Sequence, residues 1–133
     1  WNGGPNAGFT TGKPWLPIAS TWRTLNVEAE SADPRSSLAL YRRLLSLRRA
    51  HPALHAGTMT LLETPPPVIA FLREDGAERF LMALNLSDQP HQLAHPALGA
   101  GEIVLSTALD RQGAADLAAL TLRPNEGVLV RLS

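Results

Sequence analysis

Two groups of acidic side chains lie close together in the sequence and raise the question of acid–base chemistry. Glu28 and Glu30 are two residues apart, and Glu74, Asp75 and Glu78 surround a predicted turn. Two carboxyl groups roughly 5–10 Å apart can act as acid and base if a buried environment keeps one of them protonated. A turn exposed to water does not provide that environment. We therefore interpret all five as surface charges and predict no catalytic residue among them.

The four histidines form two pairs whose spacing would suit a metal site on a helix. His51 and His55 are four residues apart, as are His91 and His95. Two imidazoles at this spacing converge on a helix, but prolines beside both pairs disfavour a helix there. No third ligand stands out for either pair. We predict histidines in loops or at strand edges, with no metal site and no cofactor.

Two common site motifs are absent. No serine lies in a G-x-S-x-G sequence, so no nucleophile elbow is predicted. The glycine-rich opening lacks the Lys-Ser/Thr ending and the preceding strand that a phosphate-binding loop requires.

The most promising candidate is the aromatic segment, residues 1–32, which holds four of the seven aromatic side chains of the chain. The four are Trp1, Phe9, Trp15 and Trp22. Frequent glycines and prolines predict a loop, and such a long loop in a compact domain is usually functional. Aromatic faces suit the apolar faces of sugar rings, and asparagine amides can bind hydroxyls. We interpret Trp15 and Trp22 as anchors; for Asn6 and Phe9, anchoring and substrate binding both stay open.

Composition excludes several classes of protein. The 133 residues suffice for one ordinary domain, or for a small domain with an extra segment. Twelve basic residues balance twelve acidic ones, which leaves no basic surface for nucleic acid or an anionic membrane. The chain has no cysteine and no apolar run near the ~20 residues of a membrane span. No signal-peptide pattern is visible, so we predict a cytoplasmic location.

Residues 33–50 are predicted to form a helix. Asp33 is a good N-cap, Pro34 suits the first helical position, and Arg48 and Arg49 suit the C-terminal end. The apolar side chains of this helix cover about half of its circumference, with Arg48 among them. We infer a helix that contacts two bodies.

Residues 57–133 are predicted to form short strands without intervening helices, which is typical of an antiparallel sandwich. A Glu74-Asp75-Gly76 hairpin is expected, and the alternation in the third strand places Phe80, Met82, Leu84 and Leu86 on one face. The predicted strands are 59–63, 68–73, 79–86, 102–109 and 128–132, with weaker ones at 91–94 and 117–122.

The first 17 residues, WNGGPNAGFTTGKPWLP, form a specific motif. They resemble the late barrel loop of glycoside hydrolase family 13, in its α-glucosidase and oligo-1,6-glucosidase branch, where P-M-Q-W-D precedes N-A-G-F and P-W-L-P. Asn2 stands where the family commonly has Asp. LNVEAE (residues 25–30) resembles the I-N-V-x-x-Q segment of that branch, and DPRSSL (33–38) resembles the start of its last barrel helix. ALNLS (83–87) and VLST (104–107) are similar to strands of its C-terminal sandwich, domain C.

The resemblance implies a mainly β fold: an antiparallel β-sandwich like domain C, preceded by a long loop and one α-helix from the end of a (β/α)8 barrel. It implies a domain boundary between residues 1–56, the barrel remnant, and residues 57–133, the sandwich. The implied activity is retaining hydrolysis of α-glucosidic oligosaccharides, with the sandwich as structural support for the barrel. The family's catalytic Asp, Glu and Asp would lie upstream, so the chain alone is expected to be inactive, with the barrel as its partner.

Three alternatives remain open at this level. The chain could be a free-standing carbohydrate-binding module, or a module that dimerises through the apolar helix. The parent could instead be a related transglucosidase or isomerase. By resemblance, Asn6 and Phe9 would lie near the mouth of the substrate pocket.

Overall fold

The structure is a computed structural model that describes all residues from 1 to 133. It divides into two compact units, Trp1–Arg42 and Arg43–Ser133, which are described separately. No helix in either unit has the length and apolar character needed to cross a membrane.

Up to residue 36 the first unit is mostly loop, with two short helical segments. A 3-10 helix spans Pro5–Gly8, and helix α1 spans Val27–Ala32. Helix α1 was not predicted from the sequence. Its N-cap is Asn26, whose buried side chain accepts a 2.9 Å hydrogen bond from the amide of Ala29. The six residues of α1 are too few to show an apolar periodicity, so the helix could not be predicted from it. The Asn26 cap stabilises this short helix.

Helix α2 spans Ser37–Ala50, so the expectation that it begins at Asp33 was wrong. Ser36 is the cap, because its hydroxyl accepts a hydrogen bond from the amide of Ala39 at 3.1 Å. Asp33 instead accepts a bond from the amide of Arg35 within a turn. The predicted end of the helix is confirmed, and α3 follows as one short turn, Pro52–His55.

The second unit is an antiparallel sandwich, as predicted. Its larger sheet has the strand order β1-β2-β3-β8-β5-β6, and β4 pairs with β7 in a smaller sheet. The strands are β1 Thr58–Leu62, β2 Val68–Asp75, β3 Glu78–Asn85, β4 His91–Leu93, β5 Ala100–Ser106, β6 Gly113–Asp116, β7 Leu120–Leu122 and β8 Gly127–Leu132. The hairpin between β2 and β3 is confirmed, with Gly76 at φ +56° as a two-residue turn requires. Strand β6 was not predicted.

The two faces of β3 differ in burial, and the structure decides which one faces the core. Leu81 and Ala83 are fully buried in the main hydrophobic cluster, together with side chains of β2, β7 and β8. Phe80 and Met82, which show the stronger sequence alternation, lie on the opposite face, which we call the outer face. There the ring of His51 packs edge-on against Phe80 at 5.0 Å between centroids. Alternation shows that two side chains share a face, but it does not show which face is internal.

Candidate functional site

The start of the aromatic segment has an unusual backbone. Asn6, Ala7 and Gly8 have φ values of +53°, +54° and +75°; asparagine and glycine adopt this region readily, whereas Ala7 is unusual there. Ala7 is buried, and its carbonyl accepts a 3.1 Å hydrogen bond from the amide of Asn2. The side chain of Asn2 in turn accepts a 2.9 Å bond from the amide of Gly4. The backbone that leads to Phe9 is thus held on its N-terminal side.

The Asn6 side chain closes the following loop, residues 6–12, which we call the Asn6 loop. Its Nδ2 donates to the carbonyl of Thr10 at 3.0 Å and to the carbonyl of Gly12 at 2.9 Å. An amide nitrogen carries two hydrogens, so both are used inside the loop. Of the polar atoms on this side chain, the acceptor Oδ1 remains for another partner.

Phe9 is 66% exposed although it packs on another aromatic ring. Its ring meets that of Trp1 edge to face, with centroids 5.6 Å apart. Phe9 lies between two depressions in this unit. One is a cavity of about 490 Å³ with an apolar lining, and the other is an open cleft of about 670 Å³. The cleft is lined by Pro5, Asn6, Gly8, Phe9, Thr10 and Thr11.

The two anchor candidates differ in exposure. Trp15 also lines the apolar cavity but is 91% exposed. Trp22 is half-buried, and the guanidinium of Arg23 lies 4.1 Å from its ring centroid. Within this unit Trp22 is therefore already held by a cation–π contact, whereas most of the surface of Trp15 has no neighbour.

Three of the five acidic residues singled out from the sequence make specific contacts within the fold. Glu30 accepts a 2.9 Å bond from the amide of Leu38, so it helps cap α2. Glu74 pairs with Arg79 at 2.8 Å across the hairpin. Glu78 lies 2.7 Å from His51, and that hydrogen bond holds the pKa of Glu78 below its usual value. A lowered pKa keeps a carboxyl ionised, which is the opposite of what a general acid needs.

The histidines do not converge. His51 contacts Glu78, and His55 Nδ1 lies 2.8 Å from the carbonyl of Arg48. His91 lies in strand β4, and the Nδ1 atom of His95 is buried without a hydrogen-bond partner. No three His, Asp or Glu side chains are grouped so that they could hold a metal ion.

An ionic cluster that was not predicted from the sequence lies at one end of the sandwich, formed by Asp110, Arg111, Arg123 and Glu126. Glu126 is only 3% exposed and accepts bonds from both arginines, at 2.9 Å from Arg111 and 2.6 Å from Arg123. Burial raises the pKa of Glu126, but its hydrogen bonds with Arg123 and the charge of Arg111 outweigh burial and lower it. Arg123 also lowers the pKa of Asp110 to about 2. The sequence contains opposite charges close together in two short segments, Asp110-Arg111 and Arg123 with Glu126, and this was the only signal of the cluster. Whether the two segments meet depends on the fold.

Comparison with known proteins places both parts of the chain. Residues 1–57 match the family model described as the alpha amylase catalytic domain, and residues 59–128 match the maltogenic amylase C-terminal domain. The chain is 32% identical to the trehalose-6-phosphate hydrolase of Bacillus subtilis over 100% of this chain and 24% of that protein. It is 31% identical to the oligo-1,6-glucosidase of Parageobacillus thermoglucosidasius, over 99% of this chain and 24% of that protein.

Solved structures agree with these matches. The trehalulose synthase of Pseudomonas mesoacidophila is 31% identical and superimposes with a TM-score of 0.85, over 96% of this chain and 23% of that one. The chain thus spans about a quarter of the length of the relatives that it matches. Both family models match in the order expected from the motifs, over nearly the whole sequence. The chain therefore belongs to glycoside hydrolase family 13, the α-amylase family, and corresponds to its C-terminal part.

Proposed function

We propose that this chain is the C-terminal part of a retaining α-glucosidase-like enzyme that hydrolyses α-glucosidic bonds in small oligosaccharides. The observation that carries the proposal is the match over the full chain to proteins named as hydrolases of such substrates, an oligo-1,6-glucosidase and a trehalose-6-phosphate hydrolase. The loop motif of residues 1–17 supports the same branch of the family.

The catalytic carboxyl groups of this enzyme are proposed to lie outside this chain. Retaining hydrolysis needs two carboxyl groups roughly 5–5.5 Å apart. The acidic residues singled out from the sequence have other roles here: Glu30 caps a helix, Glu74 pairs with Arg79, and Glu78 contacts His51. The isolated chain is accordingly expected to be inactive.

The proposed domain boundary lies between residues 56 and 57. The matched ranges, 1–57 and 59–128, support it. On this proposal the aromatic segment, α1, α2 and α3 belong to the catalytic barrel, and the eight strands form the C-terminal domain.

The sandwich is proposed to support the barrel through its outer face. Met59 and Leu61 on β1 and Ile69 on β2 are large apolar side chains that this unit leaves exposed, Leu61 by 68%. Contiguous exposed apolar surface usually marks a contact site. A barrel that covers it would explain why strands at the edge of the sheet carry apolar side chains on both faces.

The structure also contains a polar connection between the last helical turn and the sheet. Arg73 of β2 donates to the carbonyls of Ala53 and Gly57, at 3.1 Å and 2.9 Å. Arg48 donates to the carbonyl of Leu54 at 2.8 Å. The Arg73 bonds hold α3 against the sheet, and the Arg48 bond joins α2 to α3, which supports a role for the sandwich in stabilising the end of the barrel.

Asn6 and Phe9 are proposed to lie at the mouth of the substrate pocket. Exposure of the Phe9 ring and its position between two depressions support this proposal. Trp15 is proposed to be covered by the rest of the barrel, because burial of a Trp side chain that is 91% exposed here would contribute favourable hydrophobic free energy.

A related transglucosidase or isomerase is the second candidate function. The observation that favours it is the superposition on a trehalulose synthase, with a TM-score of 0.85. Hydrolase and isomerase share this part of the fold, so the products of the reaction must distinguish them.

The test is to measure the complete enzyme and the isolated 133-residue chain on p-nitrophenyl α-glucoside, isomaltose and sucrose. We expect the complete enzyme to release glucose in the α configuration, and the isolated chain to release nothing. Rearranged disaccharide from sucrose would establish the isomerase instead. Turnover by the isolated chain, or no action of the complete enzyme on any α-glucoside, would contradict the proposal. A cytoplasmic location stays a prediction that cell fractionation can test.

A further inference from the structure

We infer that α3 folds as part of the sandwich and is the joint through which the sandwich holds the C-terminal end of α2. This inference deepens the supporting role proposed for the sandwich, and it rests on that proposal. The proposed boundary between residues 56 and 57 follows the matched sequence ranges, which leave α3 with the barrel. The contacts of α3 support a boundary between residues 50 and 51 instead, directly where α2 ends.

The apolar side of α3 is buried where the turn meets the sheet. Ala53 is 0% exposed and Leu54 7%, and the turn contacts strands β2 and β3. A Cβ atom added to Gly57, directly after α3, would lie 2.5 Å from the carbonyl oxygen of Glu74, so the two backbones pass too closely for a side chain. This burial is complete within the second unit, and further residues of the enzyme are not needed to produce it.

Glu78 of β3 binds the start of this turn. Its Oε1 lies 2.7 Å from the Nδ1 atom of His51, the residue that precedes α3. Its Oε2 accepts a hydrogen bond from the backbone amide of Ala53 at 3.4 Å. The His51 ring also packs edge to face on Phe80, which lies on the same strand. One strand therefore holds both the side chain before the turn and the backbone inside it.

Arg73 of β2 binds the other end of the turn. Its Nε donates to the carbonyl of Ala53 at 3.1 Å and its Nη2 to the carbonyl of Gly57 at 2.9 Å. The planar guanidinium presents its donors in a fixed fork, and hydrogen bonds from a charged donor are stronger than those between neutral groups. Arg73 lies directly opposite Phe80 in the register of β2 and β3, so the side chains that hold α3 share the outer face of the sheet.

Further hydrogen bonds connect α3 to α2. The Arg48 side chain, in the last turn of α2, donates to the carbonyl of Leu54 at 2.8 Å. In the opposite direction, His55 Nδ1 lies 2.8 Å from the carbonyl of Arg48. The amide of His51 donates to the carbonyl of Leu47 at 3.1 Å, which continues the bonding of α2 into the link. The end of α2 and α3 are therefore fixed to each other, and the sheet fixes α3.

Hydrogen exchange in the complete enzyme tests which part of the protein α3 unfolds with. The amides of Leu54, Ala56 and Gly57 donate to carbonyls at the start of the turn and serve as probes. Glu126→Gln destabilises the sandwich at its buried ion cluster, whereas Asn26→Ala removes the cap of α1 in the first unit. We expect the α3 probes to exchange faster in Glu126→Gln by the same factor as amides of β3, and to be unchanged in Asn26→Ala.

Substitutions at Arg73 test the joint itself. Arg73→Met keeps an apolar stem but removes both bonds, and should speed exchange of the α3 probes by about tenfold, as expected for the loss of a charged donor. Exchange in the last turn of α2 should also become faster. Arg73→Lys keeps the charge but not the fork, so a smaller change in the same direction is expected. Arg79→Met is the control and should leave the α3 probes unchanged, because Arg79 pairs with Glu74 across the hairpin.

Three results would overturn the inference. The first is exchange of the α3 probes that does not follow β3 in Glu126→Gln, or that responds to Asn26→Ala, since the turn would then not unfold with the sandwich. The second is unchanged exchange of the probes in Arg73→Met. The third is faster exchange of the probes without any change in the last turn of α2, which would mean that α3 is not a joint. The measurement uses no substrate, so if the expected exchange is found and the enzyme cleaves no α-glucoside, it is the proposed function that fails.

Discussion

Replacing Glu126 by Gln should be among the most destabilising polar substitutions in the sandwich. The carboxylate of Glu126 is almost fully buried and accepts four hydrogen bonds. Three come from the side chain and backbone of Arg123, at 2.6–2.9 Å, and one comes from Arg111 at 2.9 Å. A glutamine keeps one acceptor oxygen and turns an NH2 group toward donors. Because each carboxylate oxygen accepts two of the four bonds, two donors then lose their partner, and two arginines lose a compensating charge.

The size of the effect follows from how much of the cluster is buried. Breaking a fully buried ion pair typically costs about 3–5 kcal/mol. The side chains of Arg123 and Arg111 are 43% and 26% exposed, so they regain part of their hydration. Arg123 also keeps its contact with Asp110 at 2.7 Å. We therefore expect Glu126→Gln to lower the free energy of unfolding by about 2–3 kcal/mol, below the fully buried range.

Urea unfolding followed by circular dichroism measures this change. With a slope of about 1–3 kcal/mol per molar for proteins of this size, the midpoint should fall by about 1 M urea. Glu102→Gln is the matched control, because it breaks an ion pair with Arg131 in which both side chains are more than half exposed. The control should cost at most about 1 kcal/mol. If both variants shift the midpoint equally, burial of Glu126 does not determine the energy of the cluster and the reasoning fails.

Three further predictions concern single contacts. Arg123 lowers the pKa of Asp110 from 3.8 to about 2, so the unfolded chain binds more protons than the folded chain between these pH values. The stability that this contact contributes is therefore lost as the pH falls from about 4 to 2. Asp110→Asn should flatten this part of the stability–pH profile. Asn26→Ala removes the cap of α1 and should cost about 1 kcal/mol by thermal unfolding; no change would mean that α1 is held by other contacts. Arg48→Met keeps the apolar stem but removes the bond to the Leu54 carbonyl, and should cost about 1 kcal/mol, seen as a lower melting temperature of the complete enzyme. An unchanged melting temperature would contradict that role for Arg48.

The strands and the hairpin could be predicted because their signals are local. Asp75-Gly76 specifies a turn with positive φ, and the flanking runs alternate with the period of a strand. Strand β6 lacks such a signal, since Gly113, Ala114 and Ala115 are too small to indicate a strand. It forms by pairing with the preceding strand, β5, and that pairing cannot be predicted from the small side chains of β6 themselves.

The start of α2 shows how a local signal can be overridden. Asp33-Pro34 is a good helix start by residue type, yet Ser36 provides the cap. Ser36 also donates to the carbonyl of Glu30 at 2.7 Å, and the Glu30 carboxylate binds the amide of Leu38. These bonds join α1 to α2, and no signal in a single segment could have predicted them.

The sequence by itself determined the family, because the motif of residues 1–17 is specific, and it determined the sandwich class, because strand periodicity and turn residues are read locally. Tertiary structure decided which face of β3 is internal, and that Glu126 is buried between two arginines. It also decided that the Asn6 side-chain amide donates both of its hydrogens to carbonyls of its own loop. Burial and hydrogen-bond partners depend on the positions of residues that are distant or oriented by the backbone, whereas propensity and periodicity depend only on neighbours along the chain.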